Sequence, residues 1–207
     1  MDTPVGTARV HRAAPAGAAR ATVVLGHGAG GGIGAGDLIE LAKALPEMAV
    51  TVLLVEQPWR VAGKKVATAP HTLDRAWLAV LTGLAVDGPL LVGGRSAGAR
   101  VACRTAGELG ALGVLALAFP VHPPGRQDRS RLDELDLPAA AGIATLVLQG
   151  TRDPFGGPRE IPPAPGRTVV PVDGADHSFR ALKGATGPRP LSTVVSAVTR
   201  WLDDLVP

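Results

Sequence analysis

Pro89-Leu90-Leu91-Val92-Gly93-Gly94-Arg95-Ser96-Ala97-Gly98-Ala99-Arg100-Val101-Ala102 is the stretch from which the rest of the chain can be ordered. Its first residues, apolar on consecutive positions, read as a strand buried on both faces. The residues beyond Ser96 read as a helix. Between the two, Gly94-x-Ser96-x-Gly98 is the pattern of a nucleophile held on a tight strand-to-helix turn. Such a turn strains the backbone and brings the next helix close beneath it, so the neighbours must be small, and Gly94 and Gly98 supply that room. The N–H of Ala97, at the helix start, then points to where a developing oxyanion would lie.

The same alternation recurs on both sides. ATVVLGHG at 21–28, VTVLLVEQP at 50–58, GVLALAFPV at 113–121, ATLVLQGTRD at 144–153 and RTVVPV at 167–172 are further strand-like runs. Asp37 to Leu45, Leu73 to Val86 and Ala97 to Leu109 have the spacing or helix-former content of crossover helices. Near the C-terminus Val194, Val198, Trp201, Leu202 and Leu205 fall on one helical stripe, with Ser192 as its cap. These elements predict an α/β fold: a doubly wound, mostly parallel sheet with helices on both faces. The Pro/Gly-rich pieces 122–125 and 154–166 fall at element ends and read as loops inside one domain spanning 1–207. Residues 1–20 read as an N-terminal edge strand or arm.

Composition bounds the rest. Gly 27 and Pro 19 in 207 residues stay below the roughly 25–30% share at which low-complexity disorder sets in, and 46% hydrophobic residues can fill a sizeable core. The uncharged run Ala111 to Val121 falls short of the ~18–20 apolar residues of a membrane span. The N-terminus has Asp2 in place of a basic region and no apolar run, so no secretory signal is expected. A single cysteine, Cys103, excludes an internal disulfide and a multi-Cys metal site, and with the missing signal fits the cytoplasm. Although the isoelectric point is 9.6, 21 basic against 18 acidic residues leave a net charge of only +3. No basic run exceeds Lys64-Lys65, and aromatics are 3% with no Tyr, which argues against a nucleic-acid partner.

Three further segments carry chemistry. Asp153 follows the strand-like run at 144–150, and His177 lies in Asp173-Gly174-Ala175-Asp176-His177-Ser178-Phe179 after the last strand. The chain order Ser96, Asp153, His177 and the placement of each at the carboxyl end of a predicted strand suit a nucleophile, an orienting acid and a base. Asp173 and Asp176 remain competitors for the acid. In Leu25-Gly26-His27-Gly28-Ala29-Gly30-Gly31-Gly32, the N–H of Ala29 or Gly30 would supply a second oxyanion donor. The same loop also satisfies Gly26-x-Gly28-x-x-Gly31, a dinucleotide fingerprint with Glu56 roughly where a ribose-binding acid belongs. His27 reads as a brace for its own loop and Cys103 as core packing. Arg95, His122 and Trp59 are candidates for the substrate pocket. Each has a plain alternative: a solvated cation for Arg95, as for Arg152, a loop histidine between prolines for His122, and a core tryptophan for Trp59.

Together HGAGGG, GGRSAGAR, LQGTRDPFG and GADHSF resemble the α/β-hydrolase superfamily, and more narrowly the small dienelactone-hydrolase-like group that includes the testis-expressed hydrolase-like proteins. FPVHPPG looks like a stretch of that group too. The resemblance runs from about residue 21 to the C-terminus. It implies a minimal hydrolase with Ser96, Asp153 and His177 as triad, no metal and no organic cofactor, acting on a small-molecule acyl substrate as monomer or homodimer. Dienelactone hydrolase proper has a cysteine at the elbow where this chain has Ser96, so its substrate does not transfer. Arg95 stands where many esterases and lipases have histidine. With nearly all 207 residues used by core elements there is no length for a lid domain, so the site is expected to be open and suited to small esters. Two other readings remain: a silent hydrolase fold serving as a binding module, and a dinucleotide-dependent oxidoreductase.

Overall fold

The computed structural model describes residues 1–184 and 186–206. The chain begins with the short antiparallel pair β1 (Asp2–Thr3) and β2 (Gly6–Thr7). It continues through β3 (Arg9–Ala13), β4 (Ala21–Gly26), α1 (Gly36–Ala44), β5 (Val50–Glu56), α2 (Pro58–Val61), α3 (Pro70–Thr82) and β6 (Leu90–Arg95). Then follow α4 (Ala97–Thr105), β7 (Gly113–Leu117), α5 (Leu132–Ala140), β8 (Ala144–Gly150), β9 (Arg167–Val172) and α6 (Pro190–Leu205).

Strands β3 to β9 form one seven-stranded sheet in the order β3-β5-β4-β6-β7-β8-β9. All neighbours are parallel except β3, which runs antiparallel to β5 at one edge. The uninterrupted apolar runs follow from burial on both faces. In β4, Val24 joins a core with Trp77, Ala99 and Leu135, while Val23 and Leu25 face Leu38, Val194, Val198 and Leu202. Helices α3, α4 and α5 therefore cover one face and α1 and α6 the other, which is the doubly wound arrangement the sequence predicts. From β4 the chain moves outward to β5 and then returns to place β6 on the other side of β4. That reversal opens a crevice at the carboxyl ends of β4 and β6.

Element ends depart from the sequence expectation where glycine or proline intervenes. α3 stops at Thr82 with Gly83 as its cap, not at Val86. α4 stops at Thr105, because Gly107 and Gly110, the latter at φ +61°, end the helical run expected to reach Leu109. Ser192 does not cap α6. The helix starts at Pro190, whose ring-fixed φ suits the first helical position, and Arg189 stands at the cap. α5 was not anticipated; it is short and has Pro138 within it.

The elbow packs backbone against backbone. A Cβ on Gly98 would lie 2.4 Å from the carbonyl oxygen of Gly26, and one on Gly94 would lie at the same distance from the same atom. Two histidines pin loops nearby. His27 is buried, and its Nε2 accepts the N–H of Gln57 at 3.1 Å while Nδ1 lies 2.9 Å from the Gly28 carbonyl. Burial lowers its pKa and keeps the neutral form that accepting requires. His122 is the converse: Nδ1 faces the Pro123 carbonyl at 2.9 Å and Nε2 the Glu160 carboxylate at 3.0 Å. Both partners accept, so the hydrogen bond to Pro123 and, after it, Glu160 raise the His122 pKa.

Gly98→Ala should destabilise the fold by about 3 kcal/mol or more in denaturant titration. Gly17→Ala, where an added Cβ meets nothing within 4 Å, should be close to neutral. For His122 the sign follows from linkage: a pKa raised above the ordinary 6.5 stabilises fully below that value, and the gain is lost as pH rises through the folded-state pKa. His122→Gln should therefore cost most at about pH 5 and least at about pH 8.5, and a cost independent of pH would contradict this account.

Candidate active site

β6 delivers Ser96 to the crevice in a conformation few non-glycine residues adopt, φ 53° and ψ −110°. Two hydrogen bonds hold it there: its N–H donates to the Leu117 carbonyl at 2.9 Å, and its carbonyl accepts the Arg100 N–H at 3.2 Å. The hydroxyl oxygen lies 3.0 Å from Nε2 of His177.

His177 comes from the loop after β9, shaped by Asp176, whose Oδ1 accepts the N–H groups of Ser178 at 2.7 Å and Arg180 at 2.9 Å. Its ring stacks on Phe155 with centroids 4.2 Å apart, and its carbonyl accepts a hydrogen bond from Nη2 of Arg95. On the far side of the ring, Nδ1 lies 2.7 Å from Oδ2 of Asp153, a carboxylate with no solvent exposure. A carboxylate accepts, so Nδ1 carries the proton and the Nε2 lone pair is left facing Ser96. Of the three acids near this histidine in sequence or space, Asp153 is the one in contact. Asp176 is engaged in its own loop, and Asp173 is exposed.

Asp153 is itself held. Oδ1 accepts the Phe155 N–H at 2.8 Å, and Oδ2 accepts from Nε2 of Gln149 at 3.0 Å. Gln149 is fully buried and also reaches the carbonyls of Gly156 at 2.6 Å and Phe119 at 3.1 Å. Sequence reasoning passed over it, although a glutamine at the inner end of the apolar strand β8 is the signal that points to a buried acceptor.

Ser96 and His177 open into a cleft of about 970 Å³, walled by the glycine-rich loop 28–36, Ala97, Phe155 and residues 178–180. Ala29, Gly30 and Ala97 all line it, and among the described residues none of their N–H groups donates to a backbone carbonyl. Gly28 packs against Ser96: a Cβ there would sit 3.4 Å from that of Ser96.

The three candidate pocket residues fare differently. Arg95 lines the cleft, but its Nε lies 3.1 Å from Oδ2 of the buried Asp37 and another nitrogen holds the His177 carbonyl, so it is a strut between α1 and the histidine loop, not a solvated cation. Burial raises the Asp37 pKa, and the charge of Arg95 opposes that rise. Trp59 and His122 do not line the cleft. Trp59 is buried beside His27, their rings 5.4 Å apart, and His122 is used up in pinning its own loop. Arg152 is exposed, and its Nη1 donates to the Gly174 carbonyl at 3.3 Å. Cys103 is core packing: burial pushes its thiol up to about 12.

The glycine fingerprint after β4 does not lead into a helix. α1 starts only at Gly36, five residues past Gly31, so no helix N-terminus receives a pyrophosphate there, and Glu56 is paired with Arg9 at 3.0 Å. Among the described residues no cluster of three or more His, Cys, Asp or Glu is placed to hold a metal, and no helix is long and apolar enough to cross a membrane.

The fold has well-defined relatives. An alpha-beta serine hydrolase homologue from Coxiella burnetii superposes with a TM-score of 0.75 at 19% identity, covering 98% of this chain and 95% of that one. An α/β serine hydrolase without a lid from Xanthomonas campestris gives 0.72 at 22% identity over 100% and 93% of the two chains. A dienelactone hydrolase from Anabaena variabilis gives 0.70 at 17% identity over 100% and 97%. No curated protein matches the sequence. The family model described as alpha/beta hydrolase domain matches residues 19–203, nine-tenths of the chain. A sheet whose strand order reverses between β4 and β6, a strained serine on the elbow after β6 and a family match along nearly the whole length lead to one assignment: the chain belongs to the alpha/beta hydrolase domain family.

Proposed function

We propose that this protein is a serine hydrolase that cleaves small carboxylic esters through an acyl-enzyme intermediate. The observation that carries this reading is the continuous hydrogen-bonded chain from Ser96 Oγ through the His177 ring to a fully buried Asp153. A fold needing only packing gains nothing from a strained serine aimed at a histidine whose far side is held by a desolvated carboxylate. That also weighs against the silent binding module.

The chemistry follows from the geometry. Ser96 Oγ attacks the ester carbonyl as its proton passes to Nε2 of His177, and Asp153 stabilises the imidazolium so formed. The oxyanion is received by the N–H of Ala97, favoured by the N-terminus of α4, together with that of Ala29 or Gly30. Collapse expels the alcohol, which takes the proton from His177 and leaves the acyl group on Ser96. Water then attacks, giving its proton to His177, and the acid departs as Ser96 recovers its hydrogen. The open cleft and the likeness to a lidless hydrolase support short, accessible esters over long acyl chains at an interface.

A fluorophosphonate probe should add covalent mass at Ser96, and Ser96→Ala and His177→Ala should both abolish the adduct. On a short 4-nitrophenyl ester, Asp153→Asn should lower kcat on the order of a thousandfold or more. Folded wild type that neither labels nor turns over would sink the reading. Gln149→Met leaves two buried carbonyls and Asp153 short of a donor, so it should cost about 1–3 kcal/mol in stability. The same variant should lower kcat by about tenfold with KM little changed.

A further inference from the structure

The charged side chains lining the cleft are five arginines, Arg60, Arg95, Arg100, Arg131 and Arg180, and one carboxylate, Glu56. Part of this charge is answered inside the fold. Arg95 faces Asp37, Arg100 holds Glu134 through two contacts of 2.6 Å, and Glu56 is taken by Arg9. Among the described residues, Arg60, Arg131 and Arg180 have no carboxylate within ion-pair distance.

Arg131 is the most anomalous of the three. Its backbone is fixed just before α5 by an N–H donated to the Val121 carbonyl at 2.8 Å, and among the described residues Nη1 reaches only the Pro120 carbonyl, at 3.4 Å. The side chain is half-buried beside the Arg100 cation. Glu134, the carboxylate near it, already receives Arg100 and Arg104. Burial and the Arg100 charge hold the Arg131 pKa below the ordinary arginine range, and Glu134 offsets this in part. A partly desolvated cation next to a second cation, with no carboxylate of its own, is unfavourable for folding alone. It becomes favourable when a ligand brings the missing anion, and the planar guanidinium fork suits a carboxylate.

We infer that the substrate is an anionic ester, the half-ester of a short dicarboxylic acid, whose free carboxylate is taken by Arg131 while Ser96 attacks the esterified carbonyl. This rests on the hydrolase reading above. Ser96, Ala97, Arg100 and Arg131 line the same cleft, so nucleophile and cation face one space, and glutarate serves as the short dicarboxylic acid for the test. Hydrolysis consumes one water and releases the alcohol and the dicarboxylic acid. Arg60 and Arg180 add to a positive potential that draws such a substrate in.

The test compares mono-4-nitrophenyl glutarate with its neutral methyl ester, which shares the leaving group and chain. The ratio of kcat/KM, anionic over neutral, should exceed one in wild type and fall by about tenfold in Arg131→Gln, with partial recovery in Arg131→Lys. The same ratio in wild type and Arg131→Gln overturns the inference, as does a wild-type preference for the neutral ester. Calorimetric titration with glutarate separates the site from the reaction. Binding to wild type and Ser96→Ala alike, but about tenfold weaker to Arg131→Gln, sustains the anion site even where neither ester is cleaved, an outcome that sinks only the hydrolase reading. Glutarate that fails to bind, or binds all three proteins equally, overturns the inference whatever the esterase result.

Discussion

Three segments of backbone meet at the carbonyl of Gly26, and the rest of the site depends on that meeting. β4 ends there, the elbow crosses it at Gly94, and the first turn of α4 crosses it at Gly98, each too close for a side chain. The approach lets α4 start directly beneath the end of β6, and so aims its N-terminal N–H groups at the space above Ser96. It also brings the glycine-rich loop leaving β4 against Ser96, as the 3.4 Å approach at Gly28 records. Larger residues at these positions would push α4 outward, and Ser96 would separate from the loop that walls its cleft.

Around this contact the fold spends several buried polar groups on position. Asp153, Gln149, Asp37 and Arg95 are all largely or wholly removed from water, and each is desolvated at a cost that its partners must offset. Gln149 anchors the strand side of the Asp153 loop to two carbonyls, and Arg95 ties α1 to the histidine loop. The two loops that must meet across the sheet edge are thus each fixed to a neighbouring element, so the distance between Ser96 and His177 does not depend on loop stiffness alone.

How much of this was legible in the sequence follows from how local each determinant is. The sheet and its buried strands could be read because burial on both faces writes an unbroken apolar run, and the elbow because a close backbone approach demands glycine at fixed offsets. Ser96, His177 and Asp153 are marked by their places at strand ends; the structure adds that Asp153 touches His177, while Oδ1 of Asp176 is occupied by the N–H groups of Ser178 and Arg180 in its own loop. Arg95 lines the cleft as the sequence suggests, whereas Trp59 and His122 follow their plain alternatives; which way each side chain turns depends on partners distant in sequence, here Asp37, His27 and Glu160. α5 went unseen because Pro138 and a weak apolar stripe hide a nine-residue helix.

The ends of the sheet also matter. A parallel sheet leaves two exposed ladders, and an exposed ladder is a template for pairing with another chain. Here β3 turns three charged or polar side chains, Arg9, His11 and Arg12, toward solvent along one end, and Arg9 and Arg12 are tied back to Glu56 and Asp87. At the other end β9 carries Pro171, which has no N–H to offer a ladder. Both margins therefore offer an incoming strand a poor template, with charge along one and a missing N–H on the other.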